Sequence, residues 1–126
     1  MNKDWLDATH RGDLTRVCAL LDAGADIDAL DRHGQTALMN AAFRGDAALV
    51  QTLAARGANL DHTAKYRLTA LMLAVINQHA DVVRVLLEAG ADRQIRGNHG
   101  HFACTPMEYA EQQGLSHLAG LLRSGT

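Results

Sequence analysis

The chain has little aromatic character, one proline and two cysteines. Tryptophan, tyrosine and phenylalanine together make up 4% of its 126 residues, although 48% are apolar. A core must therefore be built from alanine, leucine and valine, side chains small enough for closely stacked helices. The single proline, Pro106, leaves the preceding chain free of that helix breaker. Cys18 and Cys104 lie far apart in sequence, and free thiols fit a reducing compartment. Long apolar runs are missing as well: no window approaches the roughly 20 residues of a spanning helix. The opening Met1-Asn2-Lys3-Asp4-Trp5 forms no apolar signal region. These absences predict a cytoplasmic protein with no membrane partner. Nor is there a large excess of one charge. Twelve basic and 14 acidic residues give a net charge of −2, too mild to predict a nucleic-acid partner. The balance is uneven, however. Residues 1–31 carry three basic and seven acidic groups, net −4, and the remainder carries net +2.

What the chain does contain is a phrase with a fixed step of 33 residues. Gly24-Ala25-Asp26 returns as Gly57-Ala58-Asn59 and as Gly90-Ala91-Asp92. Thr36-Ala37-Leu38-Met39 returns as Thr69-Ala70-Leu71-Met72 in the same register. A period of this length marks a stack of one supersecondary unit, each copy touching only its neighbours. Such a stack offers an elongated binding surface rather than a deep catalytic pocket. It also holds Cys18 and Cys104 in different end units, which argues against a disulfide.

Each unit reads as helix, turn, helix, loop, with boundaries near 1–29, 30–62, 63–95 and 96–126. In the second unit Thr36 caps a helix through Ala42, and Gly45 ends it, because glycine enters the left-handed region without steric cost. A second helix near Asp46 to Ala55 aligns Leu49, Val50 and Leu53 on one face. In the third unit Thr69 opens the first helix, and Asp81 marks the start of the second. Asp4 marks the start of the first unit, whose second helix carries Leu14, Val17, Leu20 and Leu21. Thr105-Pro106 opens the fourth, with proline where its missing N–H is harmless.

Together these markers resemble the ankyrin repeat, whose pattern runs roughly D-x-x-G-x-T-P-L-H-x-A-A-x-x-G-H and ends in G-A-D. Asp31-Arg32-His33-Gly34-Gln35-Thr36-Ala37-Leu38 is similar to its opening, and Ala41-Ala42-Phe43-Arg44-Gly45-Asp46 to its middle. The resemblance implies an all-α solenoid of antiparallel helix pairs with hairpin-like loops projecting at right angles. Four departures stand out. Proline of the T-P-L-H phrase survives only at Pro106. Its histidine is replaced by Met39, Met72 and Glu108, so a hydrogen bond typical of the family is lost. Arg67 occupies the hairpin glycine position, where positive φ costs about 1 kcal/mol and a reshaped turn is expected. The step from Thr69 to Thr105 is 36 residues, which places three extra residues in the last loop.

Residues at one phase line up along a stack. The phase before the inter-helix glycine gives His10-Arg11, Phe43-Arg44, Ile76-Asn77 and Gln112-Gln113. The loop phase gives Arg32, His33 and Gln35, then Lys65, Tyr66 and Leu68, then the 98–102 insertion. Large apolar and arginine side chains on a concave surface are the usual anchors of protein interfaces. The resemblance adds that partners dock on these loops and first helices. The candidate partner-binding residues are therefore Arg32, His33, Gln35, Phe43, Arg44, Lys65, Tyr66, Leu68, Ile76 and Asn77. The alternative for Phe43 and Ile76 is gap-filling between units, and for Tyr66 and Leu68 packing on the adjacent hairpin. Trp5 is expected to close the end of the core. Catalysis is not expected: no phosphate loop, nucleophile elbow or helical metalloprotease motif is present. His99, His101 and Cys104 could hold a soft metal ion, but a fourth ligand is missing, and no metal or cofactor is predicted. The function implied is a monomeric, non-enzymatic module that binds another protein, as an adaptor or inhibitor. The alternatives are a bacterial toxin-immunity protein and a metal- or redox-responsive module using the 99–104 loop.

Overall fold

The computed structural model describes residues 3–124, which form eight α-helices and two short 3₁₀ turns. The helices are α1 (Lys3–Arg11), α2 (Leu14–Asp22), α3 (Ala37–Arg44), α4 (Ala47–Ala55), α5 (Ala70–Ile76), α6 (Ala80–Ala89), α7 (Pro106–Gln112) and α8 (Ser116–Ser124). They pack in successive pairs. The first helices form one row, α1 on α3 on α5 on α7, and α4, α6 and α8 form a second. The described residues contain no strand. The result is the expected all-α solenoid.

Capping explains where the helices begin. Thr36 and Thr69 accept from the backbone N–H of Met39 and Met72, at 3.2 and 3.3 Å. Asp13 and Asp46 do the same for Arg16 and Leu49 at the second helices. Thr105 and Glu108 form a reciprocal capping box, each side chain accepting from the other's backbone N–H. Helix α3 runs to Arg44 rather than Ala42, because the left-handed break comes only at Gly45, with φ 82°. Helix α6 starts at Ala80 with His79 in the cap position, so Asp81 sits inside its first turn.

The recurring Gly-Ala-Asp phrase has a mechanical reason. Asp26, Asn59 and Asp92 each accept from the backbone N–H two residues on, a turn that short polar side chains favour. Asp28 then accepts from the N–H of Asn59, and Asp61 from that of Asp92, both at 2.8 Å. One side chain per unit thus fixes the register of the next. Arg56 and Asp22 add an ion pair between the first two units at 2.5 Å.

The core follows the same phase. Leu38 and Leu71, like Met39 and Met72, are each 1% exposed. Both methionines therefore fill the interior where the family's histidine would make a hydrogen bond. Trp5 is also 1% exposed and lies among the core residues. Its indole N–H has no hydrogen-bond partner among the described residues.

Candidate partner-binding face

Three loops precede the first helices α3, α5 and α7, and the first two share one turn. In the first, the N–H of Asp31 donates to the Gln35 carbonyl at 2.9 Å and that of Gly34 to the Asp31 carbonyl at 3.0 Å. In the second, Ala64 donates to Leu68 at 3.1 Å and Arg67 to Ala64 at 2.9 Å. Arg67 does not reshape the turn's bonding. It takes up the left-handed conformation of Gly34, with φ 59° against 74°, and Tyr66 beside it is left-handed too, at 65°. The strain expected of Arg67 thus falls on two residues.

The first loop is tied by Asp31. Its carboxylate accepts from the N–H groups of His33 and Gln35 and from the Asn40 side chain. Partial burial pushes this carboxyl upward, but those three hydrogen bonds outweigh it and hold it below the usual range. The second loop has Ala64 at that position and is braced from outside. Asn98 N–H donates to the Tyr66 carbonyl at 2.9 Å, the His99 ring stacks on Tyr66 at 4.5 Å, and the Lys65 ammonium lies 5.0 Å from the same ring. The inserted residues of the third loop are therefore folded onto the second.

The third loop does not gather a metal site. Cys104 is 4% exposed, its thiol donates to the His101 carbonyl, and burial pushes its pKa up. A thiolate ligand or nucleophile needs the opposite shift. The His99 ring is committed to Tyr66, and no cluster of three or more His, Cys, Asp or Glu able to hold a metal occurs among the described residues. The proposed trio of His99, His101 and Cys104 is thus not brought together. Glu108 at the base of this loop is held below the usual carboxylate range, first by the N–H of Thr105 and then by Arg96, 2.9 Å away.

Between the first loop and the row of first helices lies a groove of about 680 Å³, lined by Leu6, His10, Leu30, Asp31, Arg32, His33 and Asn40. A smaller depression of about 320 Å³ lies across α4 and α6, lined by Gln51, Ala54, Ala55, Val85, Glu88 and Ala89. Leu30 and Phe43 are the large exposed hydrophobic residues of the described chain, at 45% and 55%. His10 stands one 33-residue step before Phe43, at the same phase of α1.

The ten residues expected to bind a partner divide into four groups. Arg32, His33, Phe43 and Lys65 are exposed, and the first two line the groove. Gln35, Tyr66 and Ile76 are half-buried; Tyr66 serves as the brace just described and Ile76 packs on the core. Arg44 and Asn77 join neighbouring units. Arg44 donates to the Thr9 carbonyl at 2.8 Å, and Asn77 donates to the Phe43 carbonyl at 3.3 Å beside His79 Nε2 at 3.0 Å. Leu68 must be withdrawn from the surface. It is 8% exposed and belongs to the core, because the turn directs it inward just ahead of the α5 cap. Leu6, Leu30 and Asn40 are groove residues that phase counting missed. Only Leu30 carried a signal, as a lone leucine in a polar loop.

The pattern of ankyrin repeats, in three copies, matches residues 5–97. The chain belongs to the ankyrin-repeat family, whose members are generally protein–protein interaction modules. The match ends at the start of the enlarged third loop, and the helix pair α7–α8 continues the stack beyond it. No curated protein matches the chain. No helix among the described residues is long and apolar enough to cross a membrane.

Proposed function

We propose that this protein is a non-catalytic adaptor or inhibitor that binds one partner protein through its loops and first-helix row. The observation that carries this reading is the placement of the two exposed large hydrophobic residues. Leu30 lines the groove of the first loop, and Phe43 stands on the next first helix at the phase of His10. Isolated apolar residues are common on any surface, but Leu30 in a groove rimmed by arginine and histidine, with Phe43 one helical turn past the groove residue Asn40, has the make-up of an interface centre. The scaffold beneath them is fixed. The Phe43 backbone carbonyl is held by Asn77 and His79, while its ring is left to solvent.

The double substitution Leu30→Ala with Phe43→Ala tests this. Both side chains are exposed, so helix content by circular dichroism is expected to stay unchanged. Partner affinity should fall about a hundredfold, as truncating two interface anchors typically does. The readout is titration of a partner captured on the wild-type protein from lysate of its host. Equal affinity for the double variant would move the site off this face.

A further inference from the structure

The tips of the first two loops display exposed cations outside any ion pair among the described residues, which the net charge of −2 conceals. Arg32 and His33 on the first, Lys65 and Arg67 on the second, and His99 and His101 on the third are all exposed. At the turn tips (31–35, 64–68 and 97–104) the acidic residue is Asp31, whose carboxylate is occupied by its own turn and by Asn40, while Asp26, Asp28, Asp61 and Asp92 behind the tips accept from backbone N–H groups. Six of the other nine cations, Arg11, Arg16, Arg44, Arg56, Arg96 and Arg123, each sit beside a carboxylate, and Arg93 is turned to the Leu122 carbonyl; Lys3 and Arg84 lie away from the loops. Arg32, Lys65 and Arg67 belong to no ion pair among the described residues.

We propose that the loops receive an acidic, extended segment of the partner protein, laid across the stack with an apolar residue seated between Leu30 and Phe43. This rests on the docking reading above and adds the chemistry of the partner. Packed helices stand about 10 Å apart, so successive loops repeat at about that distance. An extended chain advances about 3.3 Å per residue. Carboxylates at every third residue would therefore meet Arg32, then Lys65 and Arg67, then the histidine pair. A nucleic acid fits less well. Binding to a phosphate backbone rests on many cation–phosphate contacts, and the three unpaired loop cations of a chain of net −2 are too few for it.

The test is selection of a displayed random peptide library on three immobilised proteins: wild type, Arg32→Glu with Lys65→Glu and Arg67→Glu, and the Leu30→Ala, Phe43→Ala double variant. Wild type should enrich net-negative peptides about tenfold over the input, the sum of three exposed charge pairs, and the charge-reversed protein should enrich net-positive ones. The single variant Arg32→Glu, in a turn held by Gly34, repeats the comparison if the triple variant loses helix content. Charge-neutral enrichment on wild type, or none above a blank surface, overturns the inference. So does tighter binding of a labelled oligo(dT) than of the best selected peptide. If charge has no effect yet the Leu30→Ala, Phe43→Ala protein enriches nothing, the acidic-segment inference falls while the docking face stands. If acidic enrichment persists unchanged on that double variant, charge is upheld and the apolar seat is lost.

Discussion

Gly45→Ala is expected to destabilise the protein by about 3 kcal/mol, two effects combined. Gly45 ends α3 at φ 82°, and an alanine held there costs about 1–2 kcal/mol. Its added methyl group would also lie 2.6 Å from Nδ1 of His79. The imidazole must then move, and it cannot do so while its Nε2 stays bonded to the Phe43 carbonyl at 3.0 Å. Loss of that bond costs about 1 kcal/mol more. Urea denaturation followed by circular dichroism measures the total. The variant His79→Ala separates the two effects. With the imidazole gone, Gly45→Ala should cost only the backbone strain, so the double variant should be more stable than the sum of the singles predicts. Strict additivity would show that the methyl group and the ring never collide. The next unit offers the reverse experiment. Gln78 holds the same phase as Gly45, one 33-residue step on, at φ 60°. Gln78→Gly should therefore raise stability, by about 0.5–1 kcal/mol once glycine's greater unfolded-state entropy is deducted.

The second large effect is expected in the first helix of the stack. Trp5→Ala should cost about 3–5 kcal/mol, as removal of a fully buried large aromatic does. The loss should be local, because each unit of a solenoid is stabilised by its neighbours alone. Hydrogen exchange followed by mass spectrometry should show protection lost in α1 and α2 and kept in α5 and α6. Uniform loss across all eight helices would mean that the four pairs fold as one unit. Trp5→Phe is the control. It keeps most of the buried ring and removes an indole N–H that has no partner among the described residues, so the two changes offset and stability should shift by less than about 1 kcal/mol. Since Leu6 and His10 of α1 line the groove, only the alanine variant should also lose the partner.

The fold was legible in the sequence because a 33-residue period is set by local chemistry. Thr36, Thr69 and Thr105 cap the first helices as read, and the Gly-Ala-Asp phrase encodes both a turn and the bond to the next unit. The helix ends were read less well: α3 outruns Ala42 because only the left-handed Gly45 stops it. The site was legible in part. Phase counting places Phe43, Arg32 and Lys65 on the surface, since it reports position along the stack. It does not report depth, and so Leu68 was counted as surface although the turn points it inward. It also says nothing of what a loop leans on. The Tyr66–His99 stack joins residues of different units through an insertion that breaks the period, and no repeat-based reading could have paired them. Gln78 was passed over for a related reason: its departure is visible only once its neighbours Gly12 and Gly45 are known to share a left-handed φ.

The bonds from Asp28 to Asn59 and from Asp61 to Asp92 have a consequence for how such a chain can lengthen. In each, the donor is a backbone N–H, which every residue but proline possesses, and the acceptor is a single aspartate two positions after the start of the recurring turn. A duplicated block of 33 residues would arrive with its own acceptor and would find a ready donor in whatever follows it. Gene duplication within this chain therefore meets no matching problem at the seam, and the loop tips remain free to vary while copies accumulate.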